Sequence, residues 1–234
     1  MVYVNGLHLN SDKTQSLTFQ LNGRLTHSVN LLGVEVDNRI SWVQHVDKLS
    51  SKLASCNFML RRLSRCVSPE ILRSVYFACF HSRLSYCVQL WGNSPHSHRI
   101  FILQKKALRI LKHLGWNESC RGHFRSLNIL TLPSLYIYSV LVLVRQNVST
   151  LRRGSECHHY STRQCEDLAI PTVRLTASMQ TNPTQNGSRL FNQLPDRLRN
   201  LPIPAFGKVM KGILMAKELY HVNDFYDISF TSGP

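Results

Sequence analysis

Long apolar runs, a secretory leader and paired cysteines are all missing from this sequence of 234 residues. The most apolar run covers residues 135–144 and is interrupted by Ser139, whereas a membrane-spanning helix needs about 20 apolar residues. The seven cysteines, an odd number, include no Cys-x-x-Cys pair. These absences argue against a transmembrane or a disulfide-stabilised secreted protein. We predict an intracellular protein, nuclear or cytoplasmic, with reduced thiols.

A recognisable metal site is also lacking. The cluster of cysteine and histidine at Cys157, His158, His159 and Cys165 has a spacing that matches none of the usual zinc frameworks, so we interpret it as a loop. No two aspartates are adjacent, and no aspartate lies in a strand–turn context suited to two-metal chemistry. We therefore predict no catalytic residue, no metal and no cofactor in this chain.

Acidic residues are few, and they are rarest in the middle of the chain. The chain has 28 Lys and Arg against 13 Asp and Glu, which gives a formal net charge of +15. Residues 38–153 hold 18 basic and 3 acidic residues, so the whole excess lies in this middle segment, and the remaining 10 of each sign cancel. Such a segment favours a polyanionic partner, RNA or DNA, with an acidic membrane surface as the weaker alternative.

The basic residues include one predicted helix, over residues 95–115. Pro95 suits its first turn, and Gly115 suits the left-handed residue just past its end. Apolar residues recur there at alternating spacings of three and four, as on one side of a helix: Ile100, Leu103, Ala107, Ile110 and Leu114. The stripe leaves a cationic face formed by Lys105, Lys106, Arg109 and Lys112. Such a face either keeps an ordinary surface helix soluble or contacts phosphates, and the local charge excess favours phosphates.

Strand patterns are confined to the first 37 residues. Alternating apolar residues flank Asn22-Gly23, a two-residue hairpin turn, and a further short strand is predicted over residues 32–36. From Ser41 the period becomes helical, with Ser41 and Gln44 as a capping box. Apolar residues follow at four-three spacing, namely Trp42, Val46, Leu49, Leu53, Cys56, Leu60 and Leu63, and Arg61 and Arg62 close the last turn.

Beyond residue 148 the composition changes. Ser, Thr, Asn, Gln, Gly and Pro dominate residues 154–187, which predicts a long and poorly regular connection. Pro133 begins an almost entirely apolar helix before it, and Phe206, Met210, Ile213 and Tyr220 indicate an amphipathic helix near the end. We predict an α+β fold that is mainly α: a β-hairpin domain at 1–37, a basic helical bundle at 38–153, and a loop-rich region at 154–234.

Several segments, taken in order, carry a known pattern. They are residues 5–14 (NGLHLNSDKT), 32–37 (LGVEVD) with Ser41-Trp42, 84–92 (LSYCVQLWG), 103–110 (LQKKALRI), 160–164 (YSTRQ) with Ile170-Pro171, and 187–195 (GSRLFNQLP). Together they resemble the C-terminal part of reverse transcriptases of non-LTR, LINE-like retrotransposons of the jockey type. Phe191 stands where that family usually has Trp, a change that keeps an aromatic side chain.

The resemblance implies roles for particular residues. Lys13 matches a palm lysine near the phosphates of the incoming nucleotide, and Leu32 and Gly33 match the primer grip, a hairpin that holds the end of the growing strand. The helices of residues 41–147 would form the thumb and the region after it, along the backbone of template and primer. Arg163 lies in the Tyr-x-Thr-Arg signature, where it either contacts phosphate or holds the loop.

The same resemblance implies that essential parts are missing. The family's Ala-Asp-Asp motif, which holds Mg²⁺, and the fingers would precede Met1, so we expect a catalytically incomplete C-terminal piece. Such a piece would retain binding to RNA or DNA backbone without sequence specificity, and no membrane partner is implied. The alternatives are an incomplete gene model of an active reverse transcriptase and a non-enzymatic protein-interaction module.

Overall fold

The computed structural model describes residues 14–19, 27–157, 166–170 and 182–230. Within these ranges the chain is mainly helical with one two-stranded antiparallel sheet near the N-terminus, which confirms the predicted α+β class dominated by helix. None of the helices in these ranges is long and apolar enough to cross a membrane. Several features discussed above lie outside the described residues: Lys13, the Asn22-Gly23 turn, His158, His159, Arg163 and Cys165.

The sheet is a tight hairpin of β1 (Ser28–Leu31) and β2 (Val34–Asp37). Its two-residue turn consists of Leu32 and Gly33, with φ angles of 51° and 86°, so both residues adopt the left-handed conformation that such turns require. The strand predicted over residues 32–36 is therefore wrong at its first two positions. Glycine adopts a positive φ without steric cost, and this property places the turn here.

Helix α1 (Val43–Leu63) begins without the predicted capping box, because Trp42 is its N-cap residue and the Ser41 hydroxyl, one residue earlier, accepts a long hydrogen bond from the Val43 N–H (3.4 Å). The Asp37 carboxylate instead accepts hydrogen bonds from the backbone N–H groups that lead into α1. It accepts hydrogen bonds from the backbone N–H groups of Arg39 (2.9 Å), Ser41 (3.0 Å) and Trp42 (3.0 Å) and from the Ser41 hydroxyl (2.9 Å). One buried carboxylate thus joins the hairpin to the first long helix.

Replacing Asp37 by Asn should therefore destabilise the fold in a pH-dependent way. Burial by itself raises the pKa of Asp37, but the hydrogen bonds from Ser41, Arg39 and Trp42 outweigh it and hold the pKa below its ordinary value of 3.8. A lowered pKa in the folded state means that the charged form contributes stability above the unfolded pKa, and this contribution is lost as pH falls through the folded pKa. Since Asn retains one acceptor oxygen, we expect the free energy of unfolding to fall by about 1–2 kcal/mol near pH 7.

Urea unfolding at pH 7 and pH 3 measures this difference. The difference in free energy of unfolding between wild type and Asp37→Asn should shrink at pH 3, because this pH lies below the ordinary carboxyl pKa of 3.8, so the unfolded state takes up a proton and the folded state loses part of its advantage. Asp47→Asn is the control, because the Asp47 carboxylate is half exposed and forms a surface ion pair with Arg99, worth about 1 kcal/mol or less. A gap for Asp37→Asn that stays constant across this pH range would contradict the assignment.

Helix α5 (Ser97–Lys112) packs lengthwise against α1. The predicted apolar stripe of α1 is confirmed, since its members are buried except for the partly buried Leu63 at the end. Near the start of both helices Asp47 pairs with Arg99 at 2.6 Å, and further along Asn57 Nδ2 donates to the Leu103 carbonyl at 3.0 Å. Later residues of α1 contact later residues of α5, so the two helices run in the same direction and both end toward the same side of the fold.

Both predicted boundaries of α5 are shifted. The helix begins at Ser97, after Pro95, and ends at Lys112. The left-handed residue at its C-terminus is His113 (φ 53°), whereas Gly115 lies further along the chain. The His113 N–H still satisfies carbonyls of the last turn, those of Arg109 and Ile110, so the helix ends in the expected conformation with a different residue.

The buried side of α5 is also rotated from the predicted stripe. It includes Gln104, a polar residue, while Leu103, Ile110 and Leu114 are only partly buried. Gln104 Nε2 donates to the Leu130 carbonyl (2.8 Å), and its Oε1 accepts from the Leu132 N–H (2.8 Å). A buried amide with both ends satisfied can occupy a core position, and apolar periodicity does not reveal it.

Between α1 and α5 the chain forms a helical run: α2 (Pro69–Val75), a π-helical segment (Tyr76–His81), α3 (Ser82–Ser85) and then α4 (Val88–Trp91). After α5 come α6 (His123–Ser126) and α7 (Leu132–Gln146). Pro133 lies in the first turn of α7, which confirms the predicted start, and the Thr131 hydroxyl caps it by accepting from the Ser134 N–H. Helix α8 (Gly154–Cys157) follows.

The C-terminal helices pack on α7. They are α9 (Pro183–Asn192), α10 (Asp196–Arg199) and α11 (Ile203–Lys217), followed by a short 3₁₀ helix (Asn223–Phe225), and both α9 and α11 contact α7. The irregular connection predicted over residues 154–187 is wrong at its start, where α8 covers Gly154–Cys157, and again from residue 183 onward. Asn182 caps α9 by accepting from the N–H groups of Thr184 and Gln185, so the Asn-Pro pair marks a helix start. Tyr220 lies beyond the end of α11.

Candidate nucleic-acid interface

Four cations lie in the last turns of α1 and α5. Arg61 and Arg62 are exposed in the last turn of α1, and Arg109 and Lys112 are partly exposed in the last turn of α5. Because the two helices are parallel neighbours, these residues lie at one end of the pair. Asp47 is the acidic residue of α1, at its opposite end, and α5 contains none. Lys106 lies on α5 six residues before its end, and we refer to Arg61, Arg62, Lys106, Arg109 and Lys112 together as the basic end.

One acidic residue, Glu118, lies near the basic end. The Arg109 Nε donates to the Glu118 backbone carbonyl at 3.0 Å, and the Glu118 carboxylate accepts from the Gly115 N–H at 3.0 Å. Glu118 is thus bound within its own loop through the carboxylate and to the basic end only through its backbone. The guanidinium of Arg109 keeps further N–H groups, since a guanidinium carries five donors.

The structure divides the cationic face predicted on α5. Consecutive residues of a helix are about 100° apart. The Lys105 ammonium lies 4.8 Å from the centroid of the Phe101 ring, whereas the Lys106 ammonium lies 5.8 Å from the centroid of the Trp116 ring. Lys106 therefore lies on the side of α5 that faces Trp116, whereas Lys105 borders a separate cleft.

That cleft has a volume of about 590 Å³ and lies between α5, the start of α7, α9 and the segment after α11. Apolar lining comes from side chains such as Phe101, Ile102 and Leu190. The charged or titratable lining side chains, apart from two tyrosines, are all basic or histidine: His98, Lys105, Arg189 and His221. The cleft is therefore positively charged, as the basic end is. Of the four cations predicted to form one face of α5, Lys105 is the one that lines the cleft.

Leu32 and Gly33, which the resemblance matches to a primer grip, form the tip of the hairpin. The Leu32 side chain is exposed, and its carbonyl accepts a hydrogen bond from the Tyr86 hydroxyl at 2.5 Å. The hairpin is attached to the first half of α1, where Lys48 pairs with the buried Glu35 at 2.6 Å. Hydrogen bonds from Lys48 and Asn30 lower the pKa of Glu35 and keep it charged.

The hairpin tip and the basic end are not brought together. Arg61 lies 13 residues after Lys48 on the same helix, a rise of about 20 Å at 1.5 Å per residue. A nucleic acid that contacted both would have to run along α1 for about this distance. Each of the two predicted contact regions is therefore a separate surface, joined by a helix.

Trp116 is a residue that the sequence analysis did not single out. Its side chain is 74% exposed, immediately after α5, while Trp42 and Trp91 are buried at 4% and 0%, as their apolar patterns predict. Its surroundings in the sequence, Gly115 before it and Asn117 after it, contain no apolar period. That polar context is the signal that could have marked this tryptophan as a surface residue.

Within the described ranges, no three His, Cys, Asp or Glu side chains come together as a group that could hold a metal ion. Comparison of the chain with protein families, curated proteins and solved structures finds no match. The placement of the cations and of Trp116 is accordingly the main observation that bears on function.

Proposed function

We propose that this chain binds the phosphate backbone of RNA or DNA through the basic end, without sequence preference. The observation that carries the proposal is the parallel arrangement of α1 and α5, which gathers Arg61, Arg62, Arg109 and Lys112 at one end. Phosphate contacts by Lys and Arg release counterions and need no base recognition. A segment with all of the protein's excess positive charge supports the same partner.

We further propose that the chain is the C-terminal part of a retrotransposon reverse transcriptase of the non-LTR type. The support is the ordered set of motifs in the sequence, of which residues 84–92 and 103–110 lie in the helical region. In this assignment α1 and α5 belong to a thumb, which holds the template and primer while other parts of the enzyme carry the chemistry. The function that we propose for this chain is therefore to hold a nucleic acid. Mg²⁺ would be bound by the other parts of the complete enzyme.

A different reason for cations at this position is the helix dipole. Basic residues in a last turn stabilise the partial negative charge at a helix C-terminus by about 0.3–1 kcal/mol. Arg61, Arg62, Arg109 and Lys112 all lie in last turns, so the dipole effect applies to them whether or not they bind phosphate. Binding measurements, and their dependence on salt, distinguish the two roles.

Salt titration of the wild-type chain is the direct test. Fluorescence anisotropy with two labelled duplexes of equal length and unrelated sequence should give affinities within about threefold of each other. If all five cations of the basic end contact phosphates, the slope of log affinity against log salt should be about −4.5, and affinity should fall roughly 500-fold between 50 and 200 mM salt. A slope near zero, or binding confined to one sequence, would contradict the proposal. Vesicles of neutral and anionic lipid serve as controls for the membrane alternative.

A further inference from the structure

An exposed tryptophan at the basic end is the feature that backbone binding leaves unexplained. The Trp116 indole is 74% exposed, so the isolated chain does not gain the stabilisation that burial of such a large apolar side chain provides. A second large ring, Phe58, is 69% exposed on α1 within one turn of Arg61 and Arg62. Exposed rings thus lie among cations at this end of the helix pair.

The loop that carries Trp116 is braced on both sides. The Leu114 N–H donates to the Arg109 carbonyl (2.9 Å), and the Gly115 N–H donates to the Glu118 carboxylate (3.0 Å). The Glu118 N–H in turn donates to the Gly115 carbonyl (3.2 Å). The backbone on either side of Trp116 is therefore held in one conformation, which reduces the ordering that a ligand would have to impose.

Cations and aromatic rings placed together match the chemistry of a single strand. An unpaired base presents a flat face that stacks on an aromatic side chain, and its phosphates need nearby cations. The Lys106 ammonium lies 5.8 Å from the centroid of the indole, within reach of a phosphate next to a stacked base. In a duplex the base faces are covered by their neighbours, so a duplex can use the cations but not the ring.

We propose that Trp116 stacks on an unpaired nucleobase while Lys106 and Arg109 contact the adjacent phosphates, so that the basic end prefers single-stranded over duplex nucleic acid. This inference rests on the proposed function, since it assumes that the basic end binds phosphates. A protein partner that buries Trp116 is the competing occupant. The surrounding positive charge favours the nucleic acid, because a polyanion neutralises it and an apolar protein surface does not.

Intrinsic fluorescence can test the proposal, because Trp116 is exposed and the other two tryptophans are buried. Adding a ten-nucleotide oligothymidylate should quench the Trp116 emission, and a ten-base-pair duplex should not. Trp116→Ala should weaken oligothymidylate binding about tenfold, since one stacked base is worth roughly 1–3 kcal/mol. Its duplex affinity should stay within twofold. Trp116→Phe keeps a stacking ring and should retain affinity within about threefold of wild type.

The outcomes separate this inference from the proposed function. If wild type binds both probes with the expected salt slope but Trp116→Ala changes neither affinity, or changes both equally, stacking is rejected and backbone binding stands. If wild type binds neither probe, the proposed function fails and the inference fails with it. If oligothymidylate binds without quenching the Trp116 emission and Trp116→Ala leaves that binding intact, stacking is rejected and the exposed ring is assigned to a protein contact. An unchanged circular dichroism melting curve for Trp116→Ala confirms that the variant is folded.

Discussion

Replacing Lys106 and Lys112 by alanine should make the slope of log affinity against log salt shallower by about 1.8 on duplex DNA. Each contacted phosphate contributes roughly 0.9 to that slope, because the cation that neutralises it displaces condensed counterions. Both lysines lie on α5, and the side chains of both are partly exposed. If the affinity extrapolated to 1 M salt is unchanged, binding at 0.1 M salt should weaken roughly 60-fold. Anisotropy titrations at four or more salt concentrations give the slope.

The matched control is the double substitution of Lys208 and Lys211 by alanine. Both residues are exposed on α11, and their loss changes the net charge of the chain by the same amount. We expect the slope for this control to stay close to that of wild type, because α11 is not part of the basic end. Equal slopes for the two double variants would reject the basic end as the contact surface. A drop in stability of Lys112→Ala with an unchanged slope would favour the helix-dipole role for Lys112, which lies in the last turn of α5.

Lys105→Ala adds a comparison between neighbours in the sequence. The Lys105 ammonium lies against the Phe101 ring at the border of the 590 Å³ cleft, on a different side of α5 from Lys106. If the backbone of a bound nucleic acid follows the basic end, Lys106→Ala alone should change the slope by about 0.9 and Lys105→Ala by much less. Equal effects would extend the contact surface around α5 to the cleft.

Replacing Trp91 by alanine should destabilise the protein by about 3–5 kcal/mol, the range for removing a large aromatic side chain from a core. The Trp91 side chain is fully buried, and its Nε1–H donates to the Tyr86 carbonyl at 3.1 Å. The ring also packs near the buried His45, with ring centroids 5.8 Å apart. Truncation would leave a cavity and one carbonyl without its donor, and both effects reduce stability.

Trp116→Ala provides the control for this change, because it removes the same side chain from an exposed position. Its free energy of unfolding should stay within about 0.5 kcal/mol of wild type, as for most surface substitutions. Trp91→Phe should lose less than Trp91→Ala, since it fills most of the volume and lacks the hydrogen bond. Urea unfolding monitored by circular dichroism compares the three variants. Similar losses for Trp91→Ala and Trp116→Ala would contradict the burial that the fold assigns to them.

The long helices were predictable because their signals are local. The apolar residues of α1 recur at the helical period, and its stripe, which includes Trp42, Leu53 and Leu60, is buried as the period predicts. Pro133 likewise marks the start of α7, since proline in a first turn loses no hydrogen bond. Such features depend on residues a few positions apart, so the order of amino acids is sufficient to reveal them.

Positions whose partners lie far along the chain were not predictable in this way. Gln104 is buried because its amide meets backbone groups of Leu130 and Leu132, and nothing near Gln104 in the sequence indicates that contact. Asp37, rather than the Ser41 capping box, satisfies the chain before α1, because the hairpin brings its carboxylate to that point. In both cases tertiary packing brings hydrogen-bond partners to a polar side chain.

By itself, the sequence determined the class of the fold, the concentration of positive charge in residues 38–153 and the helices that carry most of it. Only the tertiary structure decided which cations share a surface. The parallel packing of α1 on α5 places Arg61 and Arg62 at the same end of the helix pair as Arg109 and Lys112, and the rotation of α5 separates Lys105 from Lys106. The physical reason is that a helix's period follows from its own residues, whereas its orientation and rotation follow from the neighbours against which it buries its side chains.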